Sequence, residues 1–334
     1  MRLFLIACFF VLAIIALILW RLADHDLADR NTISLTFTTS GKTVSGTVWL
    51  PNETPAAVVA LVHGDGPQDR TSGGGYAPMI NTLLDRQIAV ASWDKPGIGQ
   101  SDGNWLHQSM ADRADEVRAG LHLLQQQFDG VPIGAMGFSQ AGWVLPKLTP
   151  DDADFLVLVG AAVSWRDQGE YYTRRRLEAA GHSSITIDTA IAQQNLENEY
   201  IFGPNAVAAN SRADMSADRW QFIRTNRNAD ARAALAELDL PVLAIWGAED
   251  LNVHPTANAS IYQQILVRRS PRTQIVIWPE ATHALLKSPQ YNWQLTEDWS
   301  FRAKARFIVE GRFAFAPDAL NTIADWIIGS GTNR

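Results

Sequence analysis

The sequence predicts a doubly wound, mostly parallel α/β sheet. Short apolar runs uninterrupted by charge recur along the chain, as strands buried on both faces require. Helix-length stretches separate most of them, the alternation that right-handed crossovers between parallel strands produce. The composition also supplies a core. Of 334 residues 47% are hydrophobic and 19% charged, which excludes a disordered or collagen-like chain.

The first element is the most apolar. Leu3 to Trp20 is a run of eighteen residues without charge, Gly or Pro. As a helix it would span about 27 Å, close to a hydrocarbon core of about 30 Å. Arg2 and Arg21 bracket it, and Trp20 stands where an interfacial aromatic belongs. We expect a transmembrane or signal anchor over residues 1–22. A cleaved signal peptide is the first alternative, although its apolar region is normally only about 7–15 residues long. A lipoprotein is the second, with Cys8 of Leu5-Ile6-Ala7-Cys8 as acceptor, although little chain precedes that cysteine. Lys and Arg are nearly balanced across the segment. The expected placement of the remaining chain is the exported, periplasmic or extracellular, side, with the cytoplasmic face as the alternative.

A polar hinge is expected over residues 23–32. Ile33–Thr39 and Thr43–Leu50 then alternate around Ser40-Gly41-Lys42, a hairpin pattern. Continuous apolar runs at Ala57–His63, Ile88–Trp93, Val131–Phe138, Phe155–Val163, Val242–Trp246 and Gln274–Trp278 read as buried strands. Met79–Gln87, Ala114–Gln127 and Thr256–Val267 read as helices. Between Val163 and Pro241 no good strand appears, and the segment is polar and helix-prone. The expected organisation is one domain over residues 33–330, enlarged by a helical cap at about 164–238.

Several function classes are excluded early. The net charge is −7 without a concentrated basic stretch, so no nucleic-acid partner is expected. Arg174–Arg176 read as a solvated helix face. Cys8 is the single cysteine and can form neither an intramolecular disulfide nor a metal cluster. No metal and no organic cofactor are expected.

The chemistry gathers at strand ends. Gly137-Phe138-Ser139-Gln140-Ala141-Gly142 follows the strand Val131–Phe138 and precedes a helical stretch, Ala141–Leu148. That strand–turn–helix setting is what a nucleophile elbow needs, with small residues two either side of the serine. Serine then requires a base, and the base an orienting carboxylate. Asp250 falls just after the strand Val242–Trp246, and His283 just after Gln274–Trp278. The chain order is Ser139, Asp250, His283, with Glu249 as the rival acid. His25, His107, His122 and His182 read as surface or packing residues, and His254 as a pocket-lining one. The oxyanion site should come from the turn after the first buried strand, His63-Gly64-Asp65-Gly66-Pro67-Gln68-Asp69-Arg70. Its expected donors are the backbone N–H groups of Asp65 and Gln140. His63 and Asp69 are expected to shape this loop. Trp93–Ser101 reads as a structural turn.

These stretches together resemble an α/β-hydrolase, and more narrowly the bacterial esterase and serine-aminopeptidase-like branch. The HGDGPQDR string before the elbow is the most distinctive part, and the likeness runs from about Ile33 to Ile328. The sequence departs from the pattern at Ala141, where a second elbow Gly is usual. It departs again at Asp65, where a smaller or apolar residue is common and a carboxylate would repel acidic substrates. The resemblance implies a serine hydrolase that transfers an acyl group to water through an acyl-serine, with a small-molecule acyl substrate. A carboxylic ester is the expected substrate. One alternative is an aminopeptidase on short peptides, holding a free amine with Glu170, Glu178, Glu197 or Glu199. Another is a membrane-tethered, non-catalytic binding protein. Tyr171, Tyr172, Tyr200, Phe202, Trp220 and Phe222 of the cap would form either an acyl pocket or the packing of cap on core.

Overall fold

A computed structural model describes residues 9, 12, 16, 17, 19–208, 212–266 and 272–331. Among the described residues eight strands form one sheet in the order β1-β2-β4-β3-β5-β6-β7-β8. The hairpin β1 (Asn31–Thr39) and β2 (Lys42–Leu50) pairs antiparallel and joins β4 (Ile88–Trp93) antiparallel. The other strands run parallel: β3 (Ala57–Val62), β5 (Ile133–Phe138), β6 (Phe155–Val159), β7 (Val242–Gly247) and β8 (Gln274–Trp278).

Period-two geometry explains the unbroken apolar strands, because both faces are covered. One side chain set, including Val58, Ala60, Ala135, Leu156 and Ala244, packs under α2 (Met110–Gln127) and α7 (Pro255–Leu266). The alternate set, including Val59, Leu61, Met136, Val157 and Leu243, packs on α1 (Ala77–Asp85) and α9 (Ala319–Gly331). Between β6 and β7 lie α3 (Trp165–Ala179), α4 (Ser184–Phe202), α5 (Ala217–Asn226) and α6 (Arg232–Glu237). Ser164, Ser183 and Ser216 start the first three, each hydroxyl accepting from the backbone N–H three residues on. Helix α8 spans Phe301–Glu310.

Three expected elements change. β6 stops at Val159 rather than Val163, because Gly160 turns left-handed at φ 59°. The helix expected over Ala141–Leu148 is replaced by two 3-10 turns, Ser139–Trp143 and Leu145–Lys147. Pro146, which lacks the N–H of a continuing helix, sits at the start of the second. The polar segment before β1 is docked rather than hinge-like. Buried Asp24 accepts from Arg312 Nε (2.7 Å) and N (3.0 Å), and Asn81 Nδ2 donates to the carbonyls of Asp24 and Asp26 (both 2.9 Å).

The transmembrane helix expected in residues 1–22 is not found: among the described residues no helix is long and apolar enough to cross a membrane. Most of the apolar run, including Cys8 with its lipoprotein reading, lies outside the described residues. The described positions Phe9, Leu12, Leu17, Leu19 and Trp20 are helical and exposed.

Candidate active site

The elbow forms where β5 ends. Ser139 has φ 50°, a left-handed conformation that costs a non-glycine residue of the order of 1–3 kcal/mol and clusters at functional sites. The turn is tight: a Cβ on Gly137 would lie 2.6 Å from Ala141 Cβ and 2.7 Å from Leu145 Cδ1. The alanine at 141 therefore fits the crowded side of the elbow, and it is fully buried.

His283 and Asp250 are brought together. His283 Nδ1 lies 2.7 Å from Asp250 Oδ2, while Asp250 Oδ1 accepts from the amides of Asn252 (2.7 Å) and Val253 (2.8 Å). Desolvation would lower the imidazole's pKa, but the charge of Asp250 and the hydrogen bond to it outweigh that and raise it above the usual value. The rival acid Glu249 is exposed and uses its backbone N–H on Ala281 O (2.9 Å).

The histidine ring stands over the end of β6. A Cβ on Gly160 would lie 2.8 Å from both Cε1 and Nδ1 of His283, so only glycine leaves room for the ring. Phe138 pairs with Val159, so Ser139 and Gly160 are the next residues on adjacent parallel strands, which lie about 4.8 Å apart. His283 thus stands one strand from Ser139. The Ser139 hydroxyl itself makes no hydrogen bond among the described residues.

The loop after β3 folds against the elbow: a Cβ on Gly64 would lie 3.4 Å from Ser139 Cβ. Two buried cationic side chains hold it there. Lys95 Nζ donates to Gly64 O (2.6 Å) and Gly66 O (2.9 Å). Arg113 donates to His63 O (2.6 Å) and to Gln140 Oε1 (2.5 Å). A trans peptide holds its C=O and N–H antiparallel, so the Gly64 carbonyl on Lys95 turns the Asp65 N–H away from Lys95. The amide of Asp65 has no acceptor among the described residues. Burial, with the charge of Arg113, keeps Lys95 well below its usual pKa. His63 Nε2 donates to Trp93 O (2.8 Å), and Nδ1 accepts from Tyr76 OH (3.3 Å); burial and the nearby Lys95 push its pKa down to about 3, leaving a neutral ring.

Sequence reasoning missed Lys95 and Arg113. Trp93–Ser101 looked like a turn alone, yet Asp94 also receives the Arg70 guanidinium (2.6 Å). The two motifs are therefore halves of one clamp. The available signal was a charged Asp-Lys pair placed directly after six buried strand residues, five of them apolar. Asp69 shapes the loop as expected, accepting from Thr71 N (2.8 Å) and Gly73 N (3.1 Å).

Asp65 does not present a free charge. Its carboxylate takes Arg219 of α5 bidentately (2.9 and 3.2 Å) and Gln140 Nε2 (3.1 Å). Desolvation would raise its pKa, but Arg219 and Lys95 outweigh it and hold the carboxyl below the usual range.

The cap aromatics serve mainly as packing. Phe222 is buried against Trp105 and Trp165, Trp220 donates to Ile201 O (2.8 Å), and Tyr171 OH donates to Asp250 O (2.8 Å). Tyr200 is exposed, and His254 packs on Tyr171 with ring centroids 4.9 Å apart. An apolar cavity of about 600 Å³ lies elsewhere, between the glycine-rich loop and the C-terminal segment. Phe138 and Ala284, neighbours of Ser139 and His283, line it together with Tyr76, Leu286, Trp299 and Phe307.

Comparison with known proteins identifies the family. Residues 53–290 match the family model of the serine aminopeptidases, S33. A highly thermostable carboxyl esterase from Bacillus coagulans superposes with TM-score 0.55 at 16% identity, covering 89% of this chain and 99% of that one. An esterase from Pyrococcus furiosus gives TM-score 0.54 at 14% identity, covering 76% and 84%. A proline iminopeptidase from Mycobacterium smegmatis gives 0.53 at 18% identity, covering 90% and 99%. At these identities the solved structures are alike in fold. No functionally curated protein matches the chain.

Proposed function

The chain belongs to the serine aminopeptidase S33 family of α/β-hydrolases, and from that premise we propose that it is a carboxylesterase working through an acyl-serine on Ser139. His283 removes the Ser139 proton as Oγ bonds to the ester carbonyl carbon, and Asp250 holds the imidazole tautomer and the imidazolium that forms. The amides of Asp65 and Gln140 stabilise the oxyanion. Collapse breaks the ester C–O bond, and His283 gives its proton to the departing alkoxide. Water then attacks the acyl-serine with His283 again as base, releasing acid and free Ser139.

The observation that carries this reading is the Asp250–His283 pair, 2.7 Å apart, standing over Gly160 beside the elbow. The apolar cavity next to Phe138 and Ala284 favours an apolar acyl group. The aminopeptidase reading is weaker, because the cap carboxylates are engaged. Glu170 accepts from Asn195 (2.8 Å), Glu178 from Arg175 (2.6 Å), Glu197 lies 3.7 Å from Arg212, and Glu199 binds Arg166 and Arg227.

Fluorophosphonate labelling together with turnover of p-nitrophenyl esters and amino-acid anilides tests the reading. Labelling and ester turnover should both vanish in Ser139→Ala, with kcat falling on the order of 10⁶-fold. Wild-type turnover in that variant overturns the nucleophile, anilide preference overturns the esterase, and unlabelled folded protein favours a binding role.

The proposal includes an anchor over residues 1–22 with the hydrolase on the exported side. Its support is the eighteen-residue apolar run and the exposure of Leu17, Leu19 and Trp20 beside the domain. Accessibility of the domain to an impermeant label in intact cells tests the side.

A further inference from the structure

Helix α8 turns its apolar face outward. Ala303 is buried and Phe307 packs edge-on against Tyr291 and Trp299, with ring centroids 6.2 and 5.6 Å apart. Glu310 faces the same way, accepting from Tyr291 OH (3.1 Å). At 3.6 residues per turn, Phe301, Ala305, Ile308 and Val309 then fall on the opposite side, within an arc of about 100°. Phe301 is 85% exposed, Ile308 48% and Val309 46%. Lys304 borders this stripe on one side, and Arg302 and Arg306 on the other.

Among the described residues Arg302 and Lys304 have no carboxylate partner, whereas Arg306 is paired with Glu310. Glu310 is bound inward by Arg306 (3.0 Å) and Lys287 (3.7 Å), and Asp24 by Arg312 (2.7 Å). Glu297 and Asp298 precede the helix in a separate 3-10 turn. The stripe also continues beyond α8. Phe313, 44% exposed, packs on Trp20 (centroids 6.1 Å apart) and lies under the Arg21 guanidinium (3.7 Å), where Leu17, Leu19 and Trp20 are exposed.

We propose that this face of α8, with Phe313, rests on the surface of an anionic lipid bilayer. An outward apolar stripe bordered by Lys and Arg is what an interfacial helix presents to lipid. Anionic headgroups complement Arg302 and Lys304, whereas a second copy of the same face would bring like charges together. The apolar N-terminal residues beside Phe313 extend the same surface. Because Lys304, Phe307 and Ile308 also line the 600 Å³ cavity, docking brings that cavity's rim to the lipid. The proposal does not depend on the chemistry of Ser139, and its test reads lipid contact rather than turnover.

The test uses the full chain with Cys8→Ser, carrying an NBD fluorophore at Val309→Cys. The control carries it at Ile185→Cys, on α4 and 78% exposed in the wild type. Each is mixed at low protein-to-lipid ratio with vesicles of phosphatidylcholine alone or with one quarter phosphatidylglycerol. With phosphatidylglycerol, the probe at 309 should shift to the blue and be quenched by lipids spin-labelled near the headgroup, while the probe at 185 should not. Arg302→Gln/Lys304→Gln should lower the docked-to-free ratio about fivefold per cation lost. Phe301→Asp should release the probe without lowering the melting temperature. Equal quenching at 309 and 185 overturns the proposal, as does quenching at 309 that ignores both phosphatidylglycerol and the cation substitutions. A blue shift without vesicles that grows with protein concentration also overturns it, in favour of a second copy on this face.

Discussion

Asp250→Asn is the sharpest perturbation of the site. Asp250 Oδ1 is fixed by two backbone amides, those of Asn252 and Val253, and only Oδ2 faces His283. An asparagine keeps both amide bonds by placing its Oδ1 where the first oxygen was. Its Nδ2, a donor, must then face His283 Nδ1 and can be accommodated only by the tautomer that carries its proton on Nε2. That nitrogen is the one that should accept the Ser139 proton, so the base is lost while the fold is kept. Wrong-tautomer substitutions of this kind cost about 10⁴-fold in kcat, or about 5.4 kcal/mol. Wild-type pH dependence follows from the same pair. Asp250 raises the His283 pKa, so the active free-base imidazole accumulates only above a pH higher than the usual histidine value. Removing the charge should move this acid limb to lower pH in the residual activity. Stopped-assay kcat and kcat/KM on p-nitrophenyl butyrate from pH 5 to 9, with thermal melting alongside, measure both effects. Refutation would be kcat within tenfold of wild type with an unmoved acid limb, or a larger loss in Glu249→Gln.

Three further outcomes are expected. Gly137→Ala should destabilise by about 1–3 kcal/mol through overpacking against Ala141 and Leu145, read from urea midpoints. Lys95→Met should lower kcat on the order of 10²-fold with little change in KM, because it frees the Gly64 and Gly66 carbonyls and the loop that carries the Asp65 amide. A kcat within twofold of wild type in folded protein would remove Lys95 from the oxyanion loop's support. Arg219→Ala should leave the Asp65 carboxylate without its bidentate partner and raise its pKa toward the ordinary value. At neutral pH the exposed charge should then raise KM for anionic esters more than for neutral ones, and steady-state comparison of the two substrate types checks this.

Much of the fold was legible because strands buried on both faces leave an unmistakable apolar record. The runs at 57–63, 88–93 and 242–246 became β3, β4 and β7 within a residue of their expected limits. Strand β6 was misjudged beyond Val159, where Ala161, Ala162 and Val163 are apolar and buried without being strand. Burial alone does not reveal that Gly160 must bend away to admit His283.

Ser139, Asp250 and His283 could be selected from sequence because each follows a strand, and strand ends of a parallel sheet gather on one edge. The sequence by itself therefore determined the strands and the residue types at the sheet edge where Ser139, Asp250 and His283 lie, through local periodicity and turn chemistry. Only the tertiary structure decided that Lys95 and Arg113 reach back to the His63–Gly66 carbonyls, that Arg219 neutralises Asp65, and that an apolar cavity lies beside α8. Those contacts join residues dozens to more than a hundred positions apart. Their energies depend on desolvation and distance, which no local pattern of residues records.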